Sequence, residues 1–310
     1  MFEKVVLVTR KTRLEELIER FNTRAQARFY IEHAGGDFNT YAEEHEAYQL
    51  SLENVRRSIE VGLKIQVIER AFLPTYLFAP TDVIVTLGQD GLVANTAKYV
   101  KGQPILAVNP DPARFDGILL PLLPSDLQAT LQQTIANKVN LRHVTMAEAK
   151  LRDGQRLLAF NDLFIGVRSH ISARYRLTWN GKTEAHSSCG IIVSTGAGSS
   201  GWLSSIFNEA IGIVSFLNGK PVKPVQMKWE EEALLFVVRE PFISKQSSAE
   251  IVAGRLKRGA PLSIESQMPT AGVIFSDGVE SDSLDFNSGA IATIGIAPER
   301  ANLVMGGESR

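Results

Sequence analysis

A change of period near residue 126 constrains this chain more than any other feature. Ahead of it, short apolar runs alternate with helical patterns. VVLVT (Val5–Thr9) reads as a buried strand, and LEELIERF sets Leu14, Leu17, Ile18 and Phe21 on one helical face. The spacing then predicts a helix over Tyr48–Leu63, strand KIQVIE (Lys64–Glu69), strand DVIVTL (Asp82–Leu87), a helix over Leu92–Val100 and strand PILAVN (Pro104–Asn109). Strands that alternate with helices form βαβ units around a parallel sheet. Beyond residue 126, RYRLTW turns Tyr175, Leu177 and Trp179 one way and Arg174, Arg176 and Thr178 the other, and Asn180-Gly181 signals a hairpin. LLAFNDLFIG, GIIVST, ALLFVV, AEIVAG, PLSIES, AGVIFS and AIATIGIA read as further strands, interrupted by one helix over Trp202–Leu217. The chain is therefore expected to hold an α/β domain with a parallel sheet over residues 1–125. A mostly β domain, of sandwich or layered type, follows over residues 126–310. Its last residues are free to pack back on the first domain, and the tail MGGESR reads as frayed.

The composition fits a protein with a sizeable core: 44% hydrophobic and 22% charged residues over 310 positions. Lysine and arginine number 33 against 34 acids, so there is no excess positive charge to bind nucleic acid non-specifically. A single cysteine, Cys189, excludes an intrachain disulfide and suits a reducing compartment. It precedes the apolar run GIIV and reads as a small buried residue rather than a nucleophile. The five histidines are scattered without metal-ligand spacing, so no protein-held metal is expected. MFEKVVLVT reads as a first strand rather than a signal peptide, and no apolar run approaches a membrane span, so a cytoplasmic protein without a membrane partner is expected.

Five stretches are candidate sites. Gly88-Gln89-Asp90-Gly91 follows a buried strand, where ligands of open α/β sheets bind and where glycines and a helix N-terminus can approach phosphate. An aspartate there repels phosphate, but it suits a base aimed at an attacking hydroxyl, or a magnesium ligand. The same letters also suit a plain Asp-Gly turn. STGAGSSGW (Ser194–Trp202) spells GxGxxG, yet no strand ending in an acid follows about twenty residues on, as a Rossmann unit requires. A glycine-serine turn that meets a nucleotide through Ser199, Ser200 and the helix amides is the other reading. Asn161-Asp162 interrupts an apolar strand, so one of the two is expected to face a ligand or polar contact, unless the strand bulges there. Asn109-Pro110-Asp111-Pro112 ends a strand at the edge where the Gly88 loop opens, and Asp277-Gly278 reads as a turn.

The order of these motifs resembles the NAD kinase family, most closely its mitochondrial-type branch. The resemblance rests on the Gly88–Gly91 loop, VNPDPARFDG (Val108–Gly117), FNDLFIG (Phe160–Gly166), STGAGSSGWLSS (Ser194–Ser205), VREPF (Val238–Phe242), FSDG (Phe275–Gly278) and FNSGAIATI (Phe286–Ile294). It spans nearly the whole chain. It implies a two-domain kinase that moves the γ-phosphoryl of ATP, with magnesium, to the 2′-hydroxyl of the adenosine ribose of NAD or NADH. Asp90 takes the place of the family's base or hydroxyl-orienting aspartate. Gly88, Gln89, Gly91 and Asn109 fall at phosphate- and ATP-facing positions, and Asn161, Asp162, Ser199, Ser200 and Trp202 at dinucleotide-facing ones. The resemblance also implies a homodimer or higher homo-oligomer. The usual loop is Gly-Gly-Asp-Gly-Thr; here Gln89 and Leu92 replace the second glycine and the threonine. If position 89 needs a left-handed backbone, its side chain costs about 1 kcal/mol or more. Asp162 is one methylene shorter than the family's usual glutamate. Two other readings stay open: a catalytically silent NAD(P)(H)-binding protein of the same fold, and a superfamily kinase acting on a sugar or lipid hydroxyl.

Overall fold

The computed structural model describes residues 1–220 and 223–306, and the chain divides into two compact units. The first holds residues 1–142 together with the C-terminal segment from Asn302; the second holds residues 143–301. Residues 307–310 of the MGGESR tail lie outside the described residues.

In the first unit the elements run β1 (Lys4–Thr9), α1 (Arg13–Phe21), α2 (Arg24–His33), α3 (Phe38–Ser58), β2 (Lys64–Glu69), β3 (Asp82–Leu87), α4 (Asp90–Ala97), β4 (Pro104–Val108) and α5 (Leu127–Ile135). The sheet order is β2-β1-β3-β4, with every pairing parallel. All residues of β3 and β4 are buried, as unbroken apolar strands covered on both faces should be. Tyr48 and Val55 of α3 and Leu127 and Leu131 of α5 join the core over the sheet. Helix α3 starts ten residues ahead of its predicted start, because Asp37 caps it by accepting from the Asn39 amide at 2.9 Å. Helix α2 was not expected. It packs Ala27 and Ile31 against Leu14 and Phe38, a small core too diluted by charges to stand out as a pattern.

In the second unit the elements are β5 (Leu141–Leu151), β6 (Arg156–Ala159), β7 (Asp162–Val167), β8 (Ala173–Trp179), β9 (Lys182–Ser188), β10 (Ile191–Ser194), α6 (Trp202–Phe216), β11 (Ala233–Val238), β12 (Ala253–Lys257), β13 (Leu262–Ser266), β14 (Gly272–Ser276), β15 (Val279–Asp285) and β16 (Ile291–Val304). Among the described residues, one antiparallel sheet runs β12-β11-β10-β7-β14-β15. A second set runs β16-β13-β8-β9, with β5 and β6 attached through β16. Leu163, Ile165 and Val193 of the first set and Tyr175, Leu177 and Ile264 of the second share one core, as expected of a layered β domain. Asn180 and Gly181 both take positive φ, 49° and 77°, and close the β8–β9 hairpin that the dipeptide signals. Past Ala301, β16 enters the first unit, where Asn302 and Leu303 pair in parallel with Pro104 and Ile105.

Three expectations are corrected. LLAFNDLFIG is two strands, broken at Phe160 and Asn161, because other groups take up the backbone there. AEIVAG is irregular until Ala253, since Glu184 accepts the Glu250 and Ile251 amides at 2.8 and 2.7 Å and draws that segment away from regular pairing. Cys189 is exposed rather than buried, in the tight β9–β10 connection whose Gly190 has φ 105°. A hydrogen bond with Glu240, and then burial, push its thiol pKa up, which makes it a poor nucleophile.

Candidate functional site

The candidate side chains fall into two groups, one in each unit. In the first unit the chain leaves β1 for β2 on one side and returns to β3 on the other. The switch point of the sheet therefore lies between β1 and β3. Ligands of open α/β sheets bind outside the carboxyl ends of strands at such a point. The Gly88–Gly91 loop follows β3 there. Gln89 has φ −88° and ψ 169°, an extended backbone open to any residue, so its replacement of glycine carries no strain. Gly88 is glycine for packing: a Cβ there would lie 2.8 Å from Leu92 Cδ2. Leu92, 2% exposed, folds onto that glycine. At Gly91 nothing lies within 4 Å of where a Cβ would be, so the space beside this exposed residue is open.

Asp90 opens α4, where the dipole favours an anion. Its Oδ1 accepts the Leu119 amide N–H at 2.7 Å, and its other oxygen makes no hydrogen bond among the described residues. That fixes the carboxylate while leaving an acceptor for an incoming group. Asn109 is 4% exposed, and its amide serves its own loop. Nδ2 donates to Phe115 O at 3.0 Å, and Oδ1 accepts from the Asp111 amide at 3.0 Å. Arg10, just past β1, belongs to no motif in the sequence. It lies against Gly88, pairs with Glu44 at 3.1 Å and sits 5.3 Å from the Tyr48 ring centre. The order strand-then-arginine was the available signal.

In the second unit, the Phe160–Asp162 break is wired from two sides. Thr195 Oγ1 donates to Phe160 O at 2.6 Å, and the Thr195 amide donates to Asn161 O at 2.9 Å. From the β14–β15 turn, Asp277 accepts the amides of Phe160, Asn161 and Asp162 at 3.0, 2.7 and 3.2 Å. Asp277-Gly278 is a turn, as the sequence suggested, but its carboxylate reaches a segment that the sequence does not link to it. Asp162 is 8% exposed; burial first, and the charge of Asp277 second, raise its pKa to about 7. Asn161 is half-buried, and its carboxamide makes no hydrogen bond among the described residues. A carboxyl strongly perturbed by burial and a specific charged partner marks a candidate functional site.

The GxGxxG stretch is not a Rossmann phosphate loop. A Cβ at Gly196 would lie 2.0 Å from Lys228 O, and one at Gly198 would lie 2.1 Å from Asn161 O. These glycines admit backbone, not phosphate, and β10 before them is antiparallel to both of its neighbours. Ser199 Oγ donates to Gly196 O at 2.7 Å, while Ser200 is exposed. Trp202 stacks on Phe164 at 5.8 Å between ring centres, and the Arg239 guanidinium lies 5.3 Å from its ring centre.

Among the described residues no three His, Cys, Asp or Glu side chains gather as a metal site, and no helix is long and apolar enough to cross a membrane. No protein-family model matches the chain. Nor does any curated protein sequence. Solved structures do match. A yeast NADH kinase complexed with NADH aligns over 100% of this chain and 85% of its own, with a TM-score of 0.59 and 17% identity. An NAD kinase from Archaeoglobus fulgidus in complex with ATP aligns over 98% and 94%, with a TM-score of 0.56 and 16% identity. The two-domain fold is that of NAD kinases, an α/β parallel-sheet domain with an antiparallel β domain.

Proposed function

We propose that this protein is an NAD kinase-like phosphotransferase, which moves the γ-phosphoryl of ATP to the 2′-hydroxyl of the adenosine ribose of NAD or NADH. The observation that carries the reading is Asp90. It is a carboxylate held by one oxygen at the start of α4, beside open space at Gly91, where strands of an open sheet end. Phosphoryl transfer needs alignment and charge neutralisation more than covalent help, so one oriented carboxylate and a backbone cradle meet much of the demand. Asp90 orients the attacking hydroxyl and takes its proton. The α4 amides and Gly91 meet donor phosphate. Asn109 holds the neighbouring loop in shape. Asn161 and Asp162 hold the adenosine ribose, and the exposed edge of the 199–202 turn borders the base.

Magnesium that arrives on a triphosphate needs at most one or two carboxylates from the protein. The free oxygen of Asp90 is the one that takes the hydroxyl proton, so the ion would be held by the triphosphate and its own waters, and would neutralise charge that develops on the transferred phosphoryl. Membership of the mitochondrial-type branch, a homodimeric or larger assembly and a cytoplasmic location complete the proposal.

The test is direct. The purified protein is incubated with ATP, magnesium and either NAD or NADH, and NADP or NADPH is measured. Product is expected, with a loss of about 10²–10⁴-fold in Asp90→Asn. No product with either acceptor sinks the reading. The silent-binder alternative draws on Leu92, which fills the place of a threonine hydroxyl with methyl groups turned onto Gly88. It predicts that NAD(H) raises the melting temperature without turnover.

A further inference from the structure

The proposed function uses Asn161 and Asp162 but leaves unexplained how a broken strand holds two adjacent polar side chains at a site. Three consecutive amide N–H groups, those of Phe160 and Asn161 in the break and of Asp162 at the start of β7, converge on a single carboxylate, Asp277. The contact is reciprocal, because the Asp277 amide donates to Asp162 O at 3.0 Å. Asp277 has φ 52° and Gly278 has φ 71°, and Ser276 pairs with Val279. This is a two-residue hairpin with both central residues left-handed, for which Asn-Gly and Asp-Gly are favoured. Asparagine would serve that turn at least as well. The turn alone therefore does not call for an aspartate, while the three converging donors do.

We propose that Asp277 is a positioning residue, whose carboxylate sets the backbone of Phe160, Asn161 and Asp162 so that the Asn161 amide and the Asp162 carboxyl meet the ribose of a bound dinucleotide. The inference rests on the proposed function. It adds a residue 115 positions from Asp162 in sequence that acts through that residue and not on substrate. The same carboxylate is the charged group whose field reaches Asp162; Ser194, which pairs with Asp162 on β10, and Thr195 and the 196–201 turn beside it are neutral. Burial and that field together keep a proton on Asp162 up to about neutral pH. Dinucleotide affinity should then change across neutral pH as Asp162 gains or loses its proton, and removing the Asp277 charge should move the midpoint to lower pH.

The test uses Asp277→Asn in the full chain, with wild type alongside. Asparagine keeps the turn and the volume, but it places an amide N–H₂ where an acceptor stood. The variant is expected to raise the KM for NAD or NADH about tenfold or more, since small misplacements of a binding group are costly, while the KM for ATP stays the same. Its pH midpoint for dinucleotide binding, read by melting-temperature shift with NADH, is expected to lie below that of wild type. Unchanged NADH binding with an unchanged pH profile overturns the inference and leaves the proposed function standing. Equal weakening of ATP and dinucleotide, with a lowered melting temperature, also overturns it, because that outcome marks a general structural role. If wild type itself neither binds NADH nor makes product, the proposed function falls and the inference falls with it.

Discussion

Two turns of this molecule look alike on paper and differ in what they are made for. Gly88-Gln89-Asp90-Gly91 and Gly196-Ala197-Gly198-Ser199-Ser200-Gly201 both follow a buried strand and precede a helix. In the second turn, two of the glycines are dictated by backbone: Gly196 against Lys228 O and Gly198 against Asn161 O, with room for hydrogen atoms only. In the first, Gly88 yields to one side chain, and Gly91 faces open space. Glycine lets backbone approach closely, and what approaches can be the protein's own chain or a ligand. The letters do not say which. The contacts do, and they place the glycines packed on backbone in the turn with the better-known spelling.

Substitutions can break or sharpen that contrast. Gly198→Ala should be the most damaging, destabilising the protein by more than about 3 kcal/mol, because neither backbone strand can give way. A denaturant melt with little change in midpoint would show that the turn is looser than its contacts imply. Leu92→Thr should cost about 2 kcal/mol, since it removes methyl groups packed on Gly88 and buries a hydroxyl. A neutral result would place the Leu92 side chain outside the core.

Asp162→Asn should raise the melting temperature above pH 7, with the gain vanishing near pH 4. The folded carboxyl has a pKa of about 7, against an ordinary 3.8. Between those values the folded state holds a proton that the unfolded chain has released, so wild-type stability falls as pH rises through that window. Asparagine has no such penalty. Melts at pH 5 and pH 8 check the sign. The smallest effect belongs to Gly91→Ala, which should change stability by no more than about 0.5 kcal/mol while raising the KM for ATP. A stability loss as large as that at Gly198 would erase the distinction between the turns.

His186 supplies a separate pH probe of the second unit. Its side chain is fully buried, and neither ring nitrogen makes a hydrogen bond; Glu184 lies 3.2 Å away in poor alignment. Burial lowers its pKa, against the opposing pull of Glu184. The unfolded chain therefore binds a proton from about pH 6.5 downward before the folded one does, and stability should fall as pH drops below that value. His186→Gln should flatten that limb of a pH–stability curve.

Part of the candidate site was readable before any fold was known. Asp90 stands out because a charge follows an unbroken apolar run between two glycines, and Asn161-Asp162 stands out as polar letters inside an apolar stretch. Whether Gln89 is strained depends on whether its backbone is left-handed, and the tertiary fold sets that angle. Asp277 was legible as a turn but not as a partner of Phe160, and the tie of Asn109 to Phe115 was likewise invisible.

The sequence by itself determined the class of each unit, the all-buried parallel strands, the alternating strands with their Asn180-Gly181 hairpin and the α6 helix. Those follow from hydrophobic period and turn chemistry, which act over a few residues. The tertiary structure alone decided which glycines face backbone and which face open space, and where the carboxylate of Asp277 goes. It finds the Phe160 amide 117 residues away, and contacts at that range depend on how strands are ordered in a sheet, a property no local pattern carries.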